Sequence, residues 1–170
     1  IVQVDSFLFL VEVKSGRVSP KARRGAPERL GEVIDELLIE PSRQSQRLEE
    51  TIVAAKQGDA GTEAFIKAFP VDLTTIHRVL RLSVTLDDIG FLQTNVNSLK
   101  DAGYVPADLQ VAPAVTLADL EIVFDILVSP PERIHYWVRR SEWEGRADYE
   151  GDELDLRGGY LEAGLNLGDL

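Results

Sequence analysis

The sequence predicts an α/β protein with a central mixed β-sheet flanked by helices and an α-helical C-terminal extension. Three observations carry that expectation. Runs rich in branched and aromatic residues, Phe7 to Val13 and Ile76 to Thr85, suit strands of a sheet. Apolar residues recur at helical spacing between those runs. Beyond about residue 88 the pattern turns mainly helical, so the expected division is a core over 1–88 and an extension over 89–170. With 170 residues and 44% hydrophobic content, the chain can bury one sizeable core, or a core with an appended subdomain.

Ile1 to Val4 and Phe7 to Lys14 read as two strands joined at Asp5-Ser6, a connection of hairpin length that sets Val4 opposite Phe7 and Val2 opposite Phe9. Ser15 to Ala26, with Gly16, Pro20 and Gly25, reads as a loop. Pro27 opens a helix through Leu30, Val33, Ile34, Leu37 and Leu38. Pro41-Ser42 is expected to break it. A second helix then runs from about Arg43 to Lys56, with Gln44, Leu48, Ile52 and Ala55 along one side, and stops before Gly58. Gly58 to Gly61 is a turn. Ile76 to Thr85 is a strand of the central sheet, Ile89 to Ala102 a helix, and Leu109 to Val111 a short strand. Thr116 with Asp119, and Ser129 with Glu132, have capping-box spacing before two further helices, the second reaching about Trp143. Gly151 to Gly164 is expected to form a last short helix.

Composition narrows the chemistry. There are no cysteines and only two histidines, so disulfides, thiolate nucleophiles and the usual zinc clusters are excluded and any metal would be held by oxygen. No apolar stretch approaches the ~18 residues that span a bilayer, and no basic-then-apolar leader opens the chain, which points to the cytoplasm and no membrane partner. The first residue is Ile, methionine is absent, and a strand begins at once, so the sequence reads as a piece of a longer protein whose other domains would be its partners. The net charge of −11 argues against a generic nucleic-acid-coating protein. The distribution qualifies that: Lys14 to Arg29 holds six basic residues (Lys14, Arg17, Lys21, Arg23, Arg24, Arg29) against Glu28, a local +5 that leaves −16 elsewhere.

Glu12 and Lys14 close the apolar strand. Residues two apart share a face, so Leu8, Leu10, Glu12 and Lys14 point one way and Phe7, Phe9, Val11 and Val13 the other. One face is therefore apolar along its length and charged at its tip. A carboxylate that can hold a hard cation, beside an ammonium that can position water or steady a phosphate, suits metal-assisted phosphodiester cleavage.

The order of hairpin, Glu-x-Lys at a strand end, basic loop and helix with an early glutamine resembles the PD-(D/E)XK nuclease superfamily, most closely its NERD-like and RecB-like branches. Phe9-Leu-Val-Glu-Val-Lys-Ser-Gly16 is similar to the segment carrying that family's Glu-x-Lys, and Pro41-Ser-Arg-Gln-Ser-Gln46 to its helical glutamine element. The resemblance covers roughly the first half of the chain. It implies a restriction-endonuclease-like core and a magnesium- or manganese-dependent nuclease acting on DNA, or on RNA. Glu12 would ligate metal, Lys14 would position the attacking water or stabilise developing charge, and Gln44 would support both. Gln46 stands as the alternative to Gln44. The chain departs from the family at the aspartate of the neighbouring strand. Asp5 lies at the turn, seven residues of about 3.3 Å each and so ~23 Å from Glu12, whereas hard-metal ligands approach to about 2.0–2.6 Å. The missing ligand is expected just upstream of Ile1.

Other features have plainer readings. The basic residues Arg17, Lys21, Arg23, Arg24 and Arg29 form either a solvated loop or a phosphate-contacting surface. His77 and His135 read as surface groups, and Tyr136, Trp137 and Trp143 as core or interface. The acidic run Asp148, Glu150, Asp152, Glu153 and Asp155 lacks the spacing of a calcium loop and suits a helix N-terminus. The rival to a nuclease is a catalytically inactive domain that keeps the scaffold for protein interaction or nucleic-acid binding.

Overall fold

A computed structural model describes residues 1–146 and 149–166. Four strands, β1 (Val2–Val4), β2 (Phe7–Lys14), β3 (Arg78–Thr85) and β4 (Ala114–Thr116), form one sheet in the order β1-β2-β3-β4. The hairpin register is the expected one, Val2 opposite Phe9 and Val4 opposite Phe7, and Asp5 takes the turn with φ of 52°. β2, β3 and β4 run parallel, so the sheet is mixed and the carboxyl ends of β2 and β3 lie side by side, Lys14 opposite Thr85.

Strand alternation sorts the core into layers. Leu8 and Leu10 meet Ile52, Ala55, Leu73 and Ile76, which places helix α3 (Glu40–Gln57) over the even face of β2. Phe9, Leu80, Leu82 and Val84 meet Val123, Tyr136, Trp137, Trp143 and Leu156 on the odd face, under α6 (Leu117–Ile126), α7 (Pro130–Trp143) and α8 (Glu153–Ala163). Burying a side chain of this kind contributes about 1.5–3 kcal/mol, so both faces are held strongly. The composition shift near residue 88 is no break in packing, since β4 pairs with β3 and the C-terminal helices cover the first strands. The remaining helices are α1 (Pro20–Arg23), α2 (Pro27–Ile34), α4 (Glu63–Ala68) and α5 (Val96–Asp101).

Four local expectations are corrected. Ser15 to Ala26 contains α1, started by the Ser19 hydroxyl, which accepts the Ala22 N–H at 3.2 Å, with Pro20 at the first helical position. Pro41 does not break the chain into two helices. A π-turn over Asp35–Ile39 joins α2 to α3, with the Glu40 N–H donating to the Asp35 carbonyl. Pro41 has no N–H to offer and its ring crowds the preceding turn, and one wider turn absorbs both problems without ending the helix. Residues 89–102 divide into a 3₁₀ turn, Gly90–Gln93, and α5, because the Asn95 side chain accepts from Ser98 and restarts the helix. Leu109 to Val111 is not a strand. Both are buried among helices as part of a connection, and the ladder begins instead at Pro113, whose carbonyl accepts the Ser83 N–H at 2.8 Å. Among the described residues, no helix is long and apolar enough to cross a membrane.

Candidate functional site

Period-two alternation brings Glu12 and Lys14 to the α3 side of the sheet, at the carboxyl ends of parallel strands where open α/β sheets form their ligand crevices. The Lys14 ammonium donates to Gln44 Oε1 and to Glu40 Oε2, each at 3.3 Å. Gln44 in turn donates from Nε2 to Glu40 Oε1 at 3.2 Å. Lys14, Glu40 and Gln44 thus close a ring of three contacts. The Lys14 side chain is only 18% exposed and Glu40 54%, so the ring opens to solvent on the Glu40 side.

Glu12 stands outside that ring. Its half-buried carboxylate makes no hydrogen bond or ion pair among the described residues. Its neighbour on β3 is Ser83, fully buried, whose hydroxyl has no hydrogen-bond partner among the described residues. One pair further down the same face, Arg81 bonds Glu49 at 2.9 Å and the Ser42 carbonyl at 3.3 Å. Burial pushes the Glu49 carboxyl up and the Arg81 guanidinium down, outweighing their mutual attraction. The face beneath α3 is therefore polar toward its tip, with buried Ser42 accepting the Ala112 N–H at 3.0 Å.

Of the residues singled out from the sequence, Lys14 and Gln44 are brought into contact and Glu12 lies on their strand face. Gln46 bonds Glu50 at 3.0 Å, away from Lys14, which leaves Gln44 as the glutamine of this site. Among the basic residues, Arg23 lies 3.6 Å from Asp87 and Arg29 bonds Glu32 at 2.6 Å. Arg17, Lys21 and Arg24 are exposed and have no ion pair among the described residues. Tyr136, Trp137 and Trp143 are core residues, and His135 shares a 2.9 Å hydrogen bond with Tyr160. Glu150 precedes α8, Asp152 caps its first turn, and Glu153 and Asp155 lie in that turn, with Glu153 buried; Asp148 is outside the described residues.

Two acids beside the site, Glu40 and Asp87, are not marked by any motif in the sequence. Glu40 sits four residues before Gln44, a spacing that stacks both on one helix face, and this was the available signal. Asp87 accepts the Val18 N–H at 2.7 Å and so ties the loop after β2 to the one after β3. No local pattern announces a contact across 69 residues of sequence.

Among the described residues, no group of three or more His, Asp or Glu is disposed to hold a metal ion. Glu40 is engaged by Lys14 and Gln44, and Asp87 by Val18 and Arg23, which leaves Glu12 alone. A hard divalent cation takes about six oxygen ligands, and one carboxylate does not supply a resident site. These residues by themselves do not fit a bound magnesium or manganese ion.

Comparison with protein-family models, with curated proteins and with solved structures returns no match.

Proposed function

We propose that the chain is a nuclease-fold domain of a larger DNA-processing or defence protein, contributing Glu12 and Lys14 to a phosphodiester-hydrolysing centre. The observation that carries this reading is the pair of unspent groups on one strand face. Lysine has three ammonium donors; Glu40 and Gln44 take two, and the third is left over on the strand face that also carries the unpaired Glu12 carboxylate. A free donor and a free acceptor on one strand face can orient a water between them, and the ammonium N–H can donate to a phosphate oxygen. The hairpin followed by a helix and a parallel strand also supports a restriction-endonuclease-like core. Oxygen ligands beyond Glu12 would come from a longer parent chain or from the phosphates of the nucleic acid. The exposed Arg17, Lys21 and Arg24, with Arg23 and Arg29 beside them, would meet the phosphate backbone.

A second reading has its own support. The engaged Lys14 and the net charge of −11 favour an inactive scaffold that binds a partner. Nicking of supercoiled plasmid separates the two. The isolated chain should nick poorly, and the parent protein carrying it should nick with magnesium or manganese and stop in chelator. Glu12→Gln and Lys14→Ala should each abolish cleavage with circular dichroism unchanged. A parent inert with every metal tried, or nicking undiminished in both variants, hands the case to the inactive scaffold.

A further inference from the structure

We propose that Glu40 is a positioning residue for Lys14, an inference that rests on the nuclease reading above. Lys14 ends β2 with four rotatable side-chain bonds, and a free lysine of that length would sweep a wide volume. Here its ammonium is held at two points, Glu40 Oε2 and Gln44 Oε1, both at 3.3 Å. The acceptors are themselves braced, since Gln44 Nε2 donates to Glu40 Oε1 at 3.2 Å. A tetrahedral ammonium with two of its donors fixed has the third fixed as well. Glu40 thereby aims the remaining N–H and keeps the amide of Gln44 with its oxygen toward Lys14.

The helix is built to deliver this carboxylate. Glu40 is the first residue after the π-turn and directly precedes Pro41, so the extra residue in that turn sets the rotation of α3 about its axis. Glu40 and Gln44 then stack at i,i+4 on the side facing β2. The loop leaving β2 runs close by: a side chain at Gly16 would collide with the Glu36 carboxylate, one turn before Glu40.

The test has two readouts on Glu40→Ala, Glu40→Gln and Glu40→Asp. The first is the nitrogen-15 signal of the Lys14 ammonium, assigned by its loss in Lys14→Ala; slow proton exchange with water marks an ordered group. The second is plasmid nicking by the same protein, with thermal unfolding as the folding control. The parent should show the ordered signal, and Glu40→Ala should lose it while kcat falls about 10- to 100-fold with KM little changed, the scale expected for a misplaced group. Glu40→Gln keeps an acceptor oxygen and should recover part of both. An unchanged signal and rate in Glu40→Ala overturns the proposal. So does a lost signal with an unchanged rate, which would make Glu40 a structural brace. If the parent does not nick at all while the ordered signal persists, the nuclease reading itself has failed, and the positioning role falls with it.

Discussion

Glu142 shows how a single side chain couples layers of this protein. From α7 it accepts from Arg78 on β3 at 2.9 Å and from Arg139 at 2.7 Å, so the C-terminal helices are tied to the sheet by charge as well as by packing. The hydrogen bond from Arg78, then the charges of both guanidinium groups, hold its carboxyl below the usual carboxylate range. A carboxyl whose folded-state pKa lies below its unfolded value stabilises the fold above the unfolded value, and that contribution disappears as pH falls through the folded one. Partial exposure keeps it modest, about 0.2–1 kcal/mol. Glu142→Gln should therefore lower the melting temperature by roughly 1–3 °C at pH 7, and the gap should close on acidification below the ordinary carboxylate range. Equal gaps at neutral and acid pH, measured by thermal unfolding of the two proteins, would exclude this origin. Legibility also differs residue by residue. The common face of Glu12 and Lys14 could be read in advance because strand alternation has period two and needs only the chain itself. The contact of Glu40 with Lys14 could not, because it depends on where a helix is docked.

Elements were legible where their signals are local. The hairpin register followed from a two-residue turn, and the helix after Ser129 from its capping box, which forms as expected. Errors came where tertiary packing overrules a local rule. Pro41 looked like a terminator, yet a π-turn is cheaper than exposing Ile34, Leu37 and Leu38, all at most 1% exposed. Leu109 and Val111 looked like a strand because they are apolar, and they are apolar because they are buried in a connection. The pairing of α7 with α8 was equally invisible. Arg140 is wholly buried, bonds Glu153 at 3.0 Å and pairs with Glu144, while Tyr136 donates its hydroxyl to Glu153. Burial and the Glu153 carboxylate push the Tyr136 hydroxyl far above its ordinary range, so it stays a donor. Removing the arginine would leave two carboxylates buried against each other. Arg140→Met should accordingly cost about 3–5 kcal/mol in urea unfolding. Adding Glu144→Gln and Glu153→Gln, which removes both charges and keeps an acceptor for the Tyr136 hydroxyl, should restore part of it; a single variant as stable as the parent would mean that packing alone holds α8.

At the scale of the molecule the decisive quantity is the distribution of charge rather than its sum. A net −11 should repel a polyanion, yet the segment from Lys14 to Arg29 carries +5 and leads directly from the strand tip that bears Glu12. Its cations are not equivalent. Lys14 is held by Glu40 and Gln44, Arg23 lies 3.6 Å from Asp87, and Arg29 bonds Glu32, so their fields are partly cancelled at home. Arg17, Lys21 and Arg24 have no such partner among the described residues and are exposed. Each phosphate neutralised on duplex DNA releases counterions and adds a slope of about −0.9 to log affinity against log salt. If the nuclease reading holds, Arg24→Ala should flatten that slope by about 0.9, and Arg17→Ala with Arg24→Ala by up to about twice as much. Arg23→Ala should do less, since it also frees the Asp87 carboxylate beside the same surface. Fluorescence anisotropy of a labelled duplex across a salt series measures all of these slopes. Binding that is absent even at low salt, or slopes that ignore Arg17 and Arg24, would make this loop a solvated surface and remove the electrostatic route by which an acidic protein could bring a phosphate to Lys14.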